Sequence, residues 1–87
     1  MCTMIVENAP VTGSAKGPRG WFKVRQANVS FDHPFNAQLD HAVNIDFVNE
    51  GLGLEARVAV ELSPDSARRV MEAIGTALAR GEEELGS

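Results

Sequence analysis

Residues 39–70 read LDHAVNIDFVNEGLGLEARVAVELSPDSARRV, and this stretch decides the fold. Leu39, His41, Val43, Ile45 and Phe47 alternate with Asp40, Ala42, Asn44 and Asp46, which predicts a strand with one apolar and one polar face. The cluster NEGLG at 49–53 predicts a turn. Alternation then resumes, with Leu54, Ala56, Val58, Val60 and Leu62 inward and Glu55, Arg57 and Glu61 outward. A helix follows at once. Ser63 suits the N-cap, Pro64 the first helical position where no N–H is needed, and Asp65 the positive end of the dipole. Ala67, Val70, Met71, Ile74, Ala77 and Leu78 form an apolar stripe at helical spacing. Arg80 and Gly81 predict its close, with Gly81 as the left-handed cap residue.

Working back toward the N-terminus, Trp21–Phe31 is rich in aromatic and β-branched residues and predicts another strand. Its apolar phase switches: Phe22 and Val24 share one face, Ala27, Val29 and Phe31 the other, so a bulge is expected near Arg25–Gln26. TGSAKGPRG at 12–20 predicts a loop, and Thr3–Asn8 a short strand stopped by Pro10. Short connections favour neighbours in sequence becoming neighbours in space. The expected fold is therefore α+β: a four-stranded antiparallel meander sheet with one C-terminal helix packed on one face, ββββα. Residues 1–87 make a single domain, with 81–87 as a frayed acidic tail.

That fold has a covering problem. Four strands span about 19 Å. One helix is only about 10–12 Å across. Part of the row Phe47, Ile45, Val43, Val29 and Phe31 would thus lie beyond the helix, an apolar patch that soluble monomers seldom leave in water. Small domains usually compensate with disulfides, metals or partner chains. The single cysteine, Cys2, rules out an internal disulfide. A homodimer is expected.

The net charge of −4 and a pI near 5.0 argue against a nucleic-acid partner, which needs a clustered basic face. No apolar run approaches the roughly 20 residues of a membrane span. The opening MCTMIVENAP lacks a basic leader and an apolar core, so the cytoplasm is expected.

The chain's two histidines, His33 and His41, lie in FDHPFNAQLDHAV at 31–43. If Phe31 and Leu39 flank the connection, odd-numbered residues of both strands share the apolar face. Both imidazoles then fall on that face, while Asp32 and Asp40 point away. Two imidazoles together suit zinc, copper, nickel or iron, with Cys2 as a further ligand. No ligand spacing here matches a closed metal motif. The structural alternative is His41 as an amphipathic core residue with its ring nitrogen bonded to a neighbour, and His33 as a loop residue. Trp21 could wall a ligand pocket beneath a glycine-rich lid, and Asn44, on the polar face beside Asp46, could orient a ligand. There is no Ser-His-Asp context and no dinucleotide glycine fingerprint.

MCTMIVENAPVTGSAKG, GWF, NVSFDHPF and HAVNIDFVNE, followed by ELSPDSARRVMEAI, resemble over the whole chain a family of short bacterial proteins of unknown function. The resemblance implies no activity and carries over no catalytic residue. Three functional classes follow from the residues. One is a dimeric binding protein holding a transition metal or small ligand near His33 and His41. Another is a small lyase- or isomerase-type enzyme with His41 as general base. The third is an interaction module using the uncovered sheet face.

Overall fold

The computed structural model describes residues 5–86. Four strands, β1 (Ile5–Gly17), β2 (Gly20–Asp32), β3 (Ala42–Val48) and β4 (Arg57–Leu62), form one antiparallel sheet in the order β1-β2-β3-β4, and helix α1 (Pro64–Glu84) follows. The ββββα layout of an α+β domain is the predicted one, its last two strands and helix read from residues 39–70 and its first two from the N-terminal half.

The first hairpin is longer than expected. β1 runs through Pro10 and most of the predicted loop, leaving only Pro18 and Arg19 between the paired Gly17 and Gly20. Gly20 takes φ 111°, a conformation that penalises any Cβ. Pro10 does not stop β1, because β1 is an edge strand and a missing N–H there breaks no inner ladder. The expected irregularity lies at the expected height but on the other strand. Pairing passes from Pro10↔Gln26 to Gly13↔Val24, so Val11 and Thr12 of β1 together oppose Arg25. β2 keeps its alternation and simply changes which face carries its apolar residues. At the hairpin tip Arg19 pairs with Glu55 at 3.0 Å, and the Asn49 amide donates to the Lys23 carbonyl at 3.1 Å. These contacts bring the far end of the hairpin to the β3–β4 connection.

Two strand starts are later than predicted. β3 begins at Ala42 rather than Leu39, and β4 at Arg57 rather than Leu54. Leu54 is 97% exposed in the turn after a short 3-10 segment, Glu50–Leu52, rather than inward on a strand.

The helix begins as expected. Ser63 Oγ accepts the Ser66 N–H at 3.1 Å, and Asp65 pairs with Arg68. It ends later: Gly81 is helical, Leu85 N–H bonds the Gly81 carbonyl, and Gly86 takes the positive φ of 72°. Residues 81–84 of the predicted frayed tail are thus the last turn of α1. The expected closure of α1 over the sheet reaches only its first turn. Ser63, Pro64, Ser66 and Ala67 are half-buried, whereas residues 68–80 are all exposed.

The consequence is a chain with little interior. Among the described residues the buried apolar side chains are Val24, Ala27, Ala42 and Ala56, and no large side chain is fully buried. The accessible surface is 6946 Å², about 1,900 Å² more than the roughly 5,000 Å² of a compact monomer of this mass. The radius of gyration is 14.7 Å against about 12 Å for a compact chain of this length. No helix among the described residues is long and apolar enough to cross a membrane.

Candidate functional site

The register sorts the sheet into two faces. Ala27↔Phe47, Val29↔Ile45 and Phe31↔Val43, continued by Val58, Val60 and Leu62 of β4, make the apolar face. Asn28↔Asp46 and Ser30↔Asn44, continued by Glu61 and Arg57, make the polar one. Odd-numbered residues of β2 and β3 do share the apolar face.

The connection 33–41 shapes the polar face into a cleft. Pro34 has no N–H, but the next three backbone donors need acceptors. Glu61 supplies them: its carboxylate accepts the N–H groups of Phe35 at 2.5 Å, Asn36 at 3.0 Å and Ala37 at 2.8 Å. Successive N–H groups converging on one anion form a nest. The Ala37 N–H is the main cause holding the Glu61 carboxyl below its ordinary 4.5; partial desolvation acts the other way, and Phe35 and Asn36 reinforce the lowering. Beneath this strapped loop lies a cleft of ≈ 500 Å³, lined among others by Ser30, Asp32, His33, Asn44, Asp46 and Glu61.

Two side chains that line it are held differently. Asp46 Oδ1 accepts both Arg57 Nε at 3.1 Å and Arg57 Nη2 at 2.9 Å. Asn44 Nδ2 donates to Ser30 Oγ across 3.4 Å, while Asn44 Oδ1 is buried with no hydrogen-bond partner among the described residues. A buried acceptor without a partner costs free energy that the fold recovers only if something donates to it.

The histidines do come together. Phe31 and His41 stack with centroids 5.5 Å apart and planes within 4°, and His33 stacks on His41 at 5.0 Å and 24°. His33 Nδ1 lies 2.7 Å from the Asp40 carbonyl oxygen, which can only accept. Nδ1 therefore carries the proton, and in the neutral ring Nε2 keeps its lone pair. Asp40 serves His33 through its backbone, and the Asp32 carboxylate accepts the His33 backbone N–H at 2.7 Å. Lone pairs of imidazole lie in the ring plane, so two nearly parallel rings do not aim them at one point. Among the described residues no group of three His, Cys, Asp or Glu side chains is gathered as a metal would require. Cys2 lies outside the described residues.

The expected ligand residues do not form one site. Asn44 lies in the cleft, opposite Ser30. Trp21 is 72% exposed at the hairpin tip, nine residues and about 30 Å along β2 from Ser30. Glu61 and Arg57 were legible as outward strand residues but not as parts of a site. The available signal was FNA after Pro34, three successive backbone donors in need of an anion.

No curated protein and no solved structure matches the chain. One family model covers all of it, and the chain belongs over residues 1–87 to a family of unknown function, DUF6295.

Proposed function

We propose that the protein is a small homodimeric binding protein of the cytoplasm that takes a donor-bearing small molecule in the cleft under the 33–37 loop. The observation that carries the ligand reading is the buried, unpartnered Oδ1 of Asn44, a residue that lines the cleft. The surroundings add acceptors, Asp32, Asp46 and Glu61, against one cation, Arg57. An amine or amide fits that set better than an anion. The homodimer is supported by the excess of about 1,900 Å² per chain over a compact monomer, more than the roughly 800 Å² that each partner of a specific interface buries. Covering the apolar surface would leave the polar cleft facing solvent.

The test is a thermal-shift screen with small amines, amides and free amino acids, on the wild type and on Asn44→Leu. At least one compound should raise the wild-type melting temperature and leave Asn44→Leu unmoved. A screen in which nothing shifts the wild type, or in which both proteins shift alike, removes this site.

A metal site is the second reading, favoured by the approach of His33 and His41 to 5.0 Å, with Cys2 as the further ligand. It requires the rings to leave their stack. Elemental analysis for zinc, copper, nickel and iron tests it: stoichiometric metal lost in His33→Ala supports it, and metal-free wild type ends it.

A further inference from the structure

One stripe of α1, half-buried at Ala67 and Gly81 and open to solvent at its large residues, has a period of its own. Ala67, Met71, Ile74, Leu78, Gly81 and Leu85 are separated by four, three, four, three and four residues. That 3.5-residue repeat is the seam of a two-helix coiled coil, narrower than the stripe of a helix lying on a sheet. Met71, Ile74, Leu78 and Leu85 are all open to solvent. Around Gly81 the seam sinks into an apolar groove of ≈ 440 Å³ whose walls include Ile74, Leu78 and Leu85. Nothing lies within 4 Å of where a Gly81 Cβ would stand.

We infer that α1 pairs antiparallel with α1 of a second copy of this chain, with the two-fold axis at the level of Thr76 but on the opposite side of the helix, between Ile74 and Leu78. This rests on the homodimer reading above and supplies its geometry. In that register Ile74 meets the partner's Leu78, Met71 meets the partner's Gly81, and Ala67 meets the partner's Leu85. Ile74 and Leu78 thus pack on each other near the centre, the outer large knobs Met71 and Leu85 each face a small residue, and the groove at Gly81 is filled by methionine, a side chain that adapts to irregular gaps. Gly75 and Ala77 flank the centre, and their small size lets the two axes approach.

Charge selects the direction. The last turn carries Glu82, Glu83 and Glu84, the first turns Arg68 and Arg69. Antiparallel pairing sets Arg68, which bonds Asp65 within one chain, beside the partner's Glu82. Parallel pairing would bring two acidic turns together and stack Gly81 on Gly81, leaving a void. Opposite charges across an interface favour one register, and like charges exclude the other.

Cross-linking reads the geometry. In a Cys2→Ser background, Ala77→Cys should give a covalent dimer with a short bismaleimide. Leu85→Cys should not, because the axis at the level of Thr76 separates its two copies by about 27 Å along the helices. Cross-linking of both overturns the antiparallel register. Failure of both, with light scattering still at twice the 9.4 kDa chain mass, overturns the inference but leaves a homodimer through another surface. A mass of 9.4 kDa at every concentration overturns both. Gly81→Leu adds a test of opposite sign. Leucine favours an isolated helix over glycine, yet it should weaken association about tenfold or more by overfilling the Met71 socket. Unchanged or tighter association overturns the packing.

Discussion

Asn44→Leu should stabilise the protein while removing its ligand site. The substitution removes an acceptor that is buried with no partner, whose desolvation costs about 1–3 kcal/mol. It also removes the long Asn44–Ser30 bond, 3.4 Å, worth at most about 0.5 kcal/mol at that separation. Ser30 is half-buried and can turn its hydroxyl to water. The leucine adds apolar atoms under the loop in nearly the same shape. The net expectation is a gain of about 1 kcal/mol, a rise of about 4–8 °C in melting temperature for a chain of this size. The assay is urea denaturation with thermal melts at matched protein concentration, since association shifts both. A loss of about 1 kcal/mol or more would show that Oδ1 is satisfied in the folded protein, and the argument for a ligand there would fail. A residue that costs stability where it stands, and whose replacement is benign, is what a binding site looks like from the stability side.

Glu61→Gln should lower hydrogen-exchange protection of the Phe35, Asn36 and Ala37 amides at neutral pH; unchanged protection would deny the strap. Because the folded Glu61 carboxyl is held below 4.5, its contribution is complete above that value and disappears as pH falls through the lowered one. Wild type should therefore show an acid loss of loop protection that Glu61→Gln lacks, read by the same exchange experiment. Ser63→Ala removes the cap on Ser66 N–H and should cost about 1 kcal/mol, seen as a lower melting temperature in helical circular dichroism. Gly20→Ala forces a Cβ onto φ 111° and should cost about 1–2 kcal/mol by denaturant titration. A neutral result would mean that the hairpin turn is elsewhere.

The second half of the chain was legible because its signals are local. Strict alternation to Leu62, then Ser63, Pro64 and Asp65, leaves few alternatives. The length of β1 was not legible, since VTGSAKG holds few strand-forming residues and is extended mainly because Trp21, Phe22 and Val24 pair with it. Leu39 continues the apolar phase of β3, yet the backbone there belongs to a loop anchored by Glu61, 24 residues beyond Ala37. Only a contact across the sheet identifies that anchor. The parity argument that put His33 and His41 together needed just an even register between β2 and β3, which alternation supplies. Their face-to-face stacking depends on side-chain torsions that no residue pattern encodes. Asn44 was legible as a polar-face residue; its missing donor was not.

The outer margin of β1 has one further consequence. Thirteen residues of edge strand offer their free backbone groups to any stray chain, and such rims seed fibrils. Here Pro10 withholds one donor, and the two-against-one step at Val11–Thr12 bends the rim directly after it. An intruding strand would lose its ladder within a few residues of Ile5. Aggregation by stacking along this border is thereby discouraged, and Pro10→Val should be the substitution that releases it, visible as thioflavin-positive material on prolonged incubation.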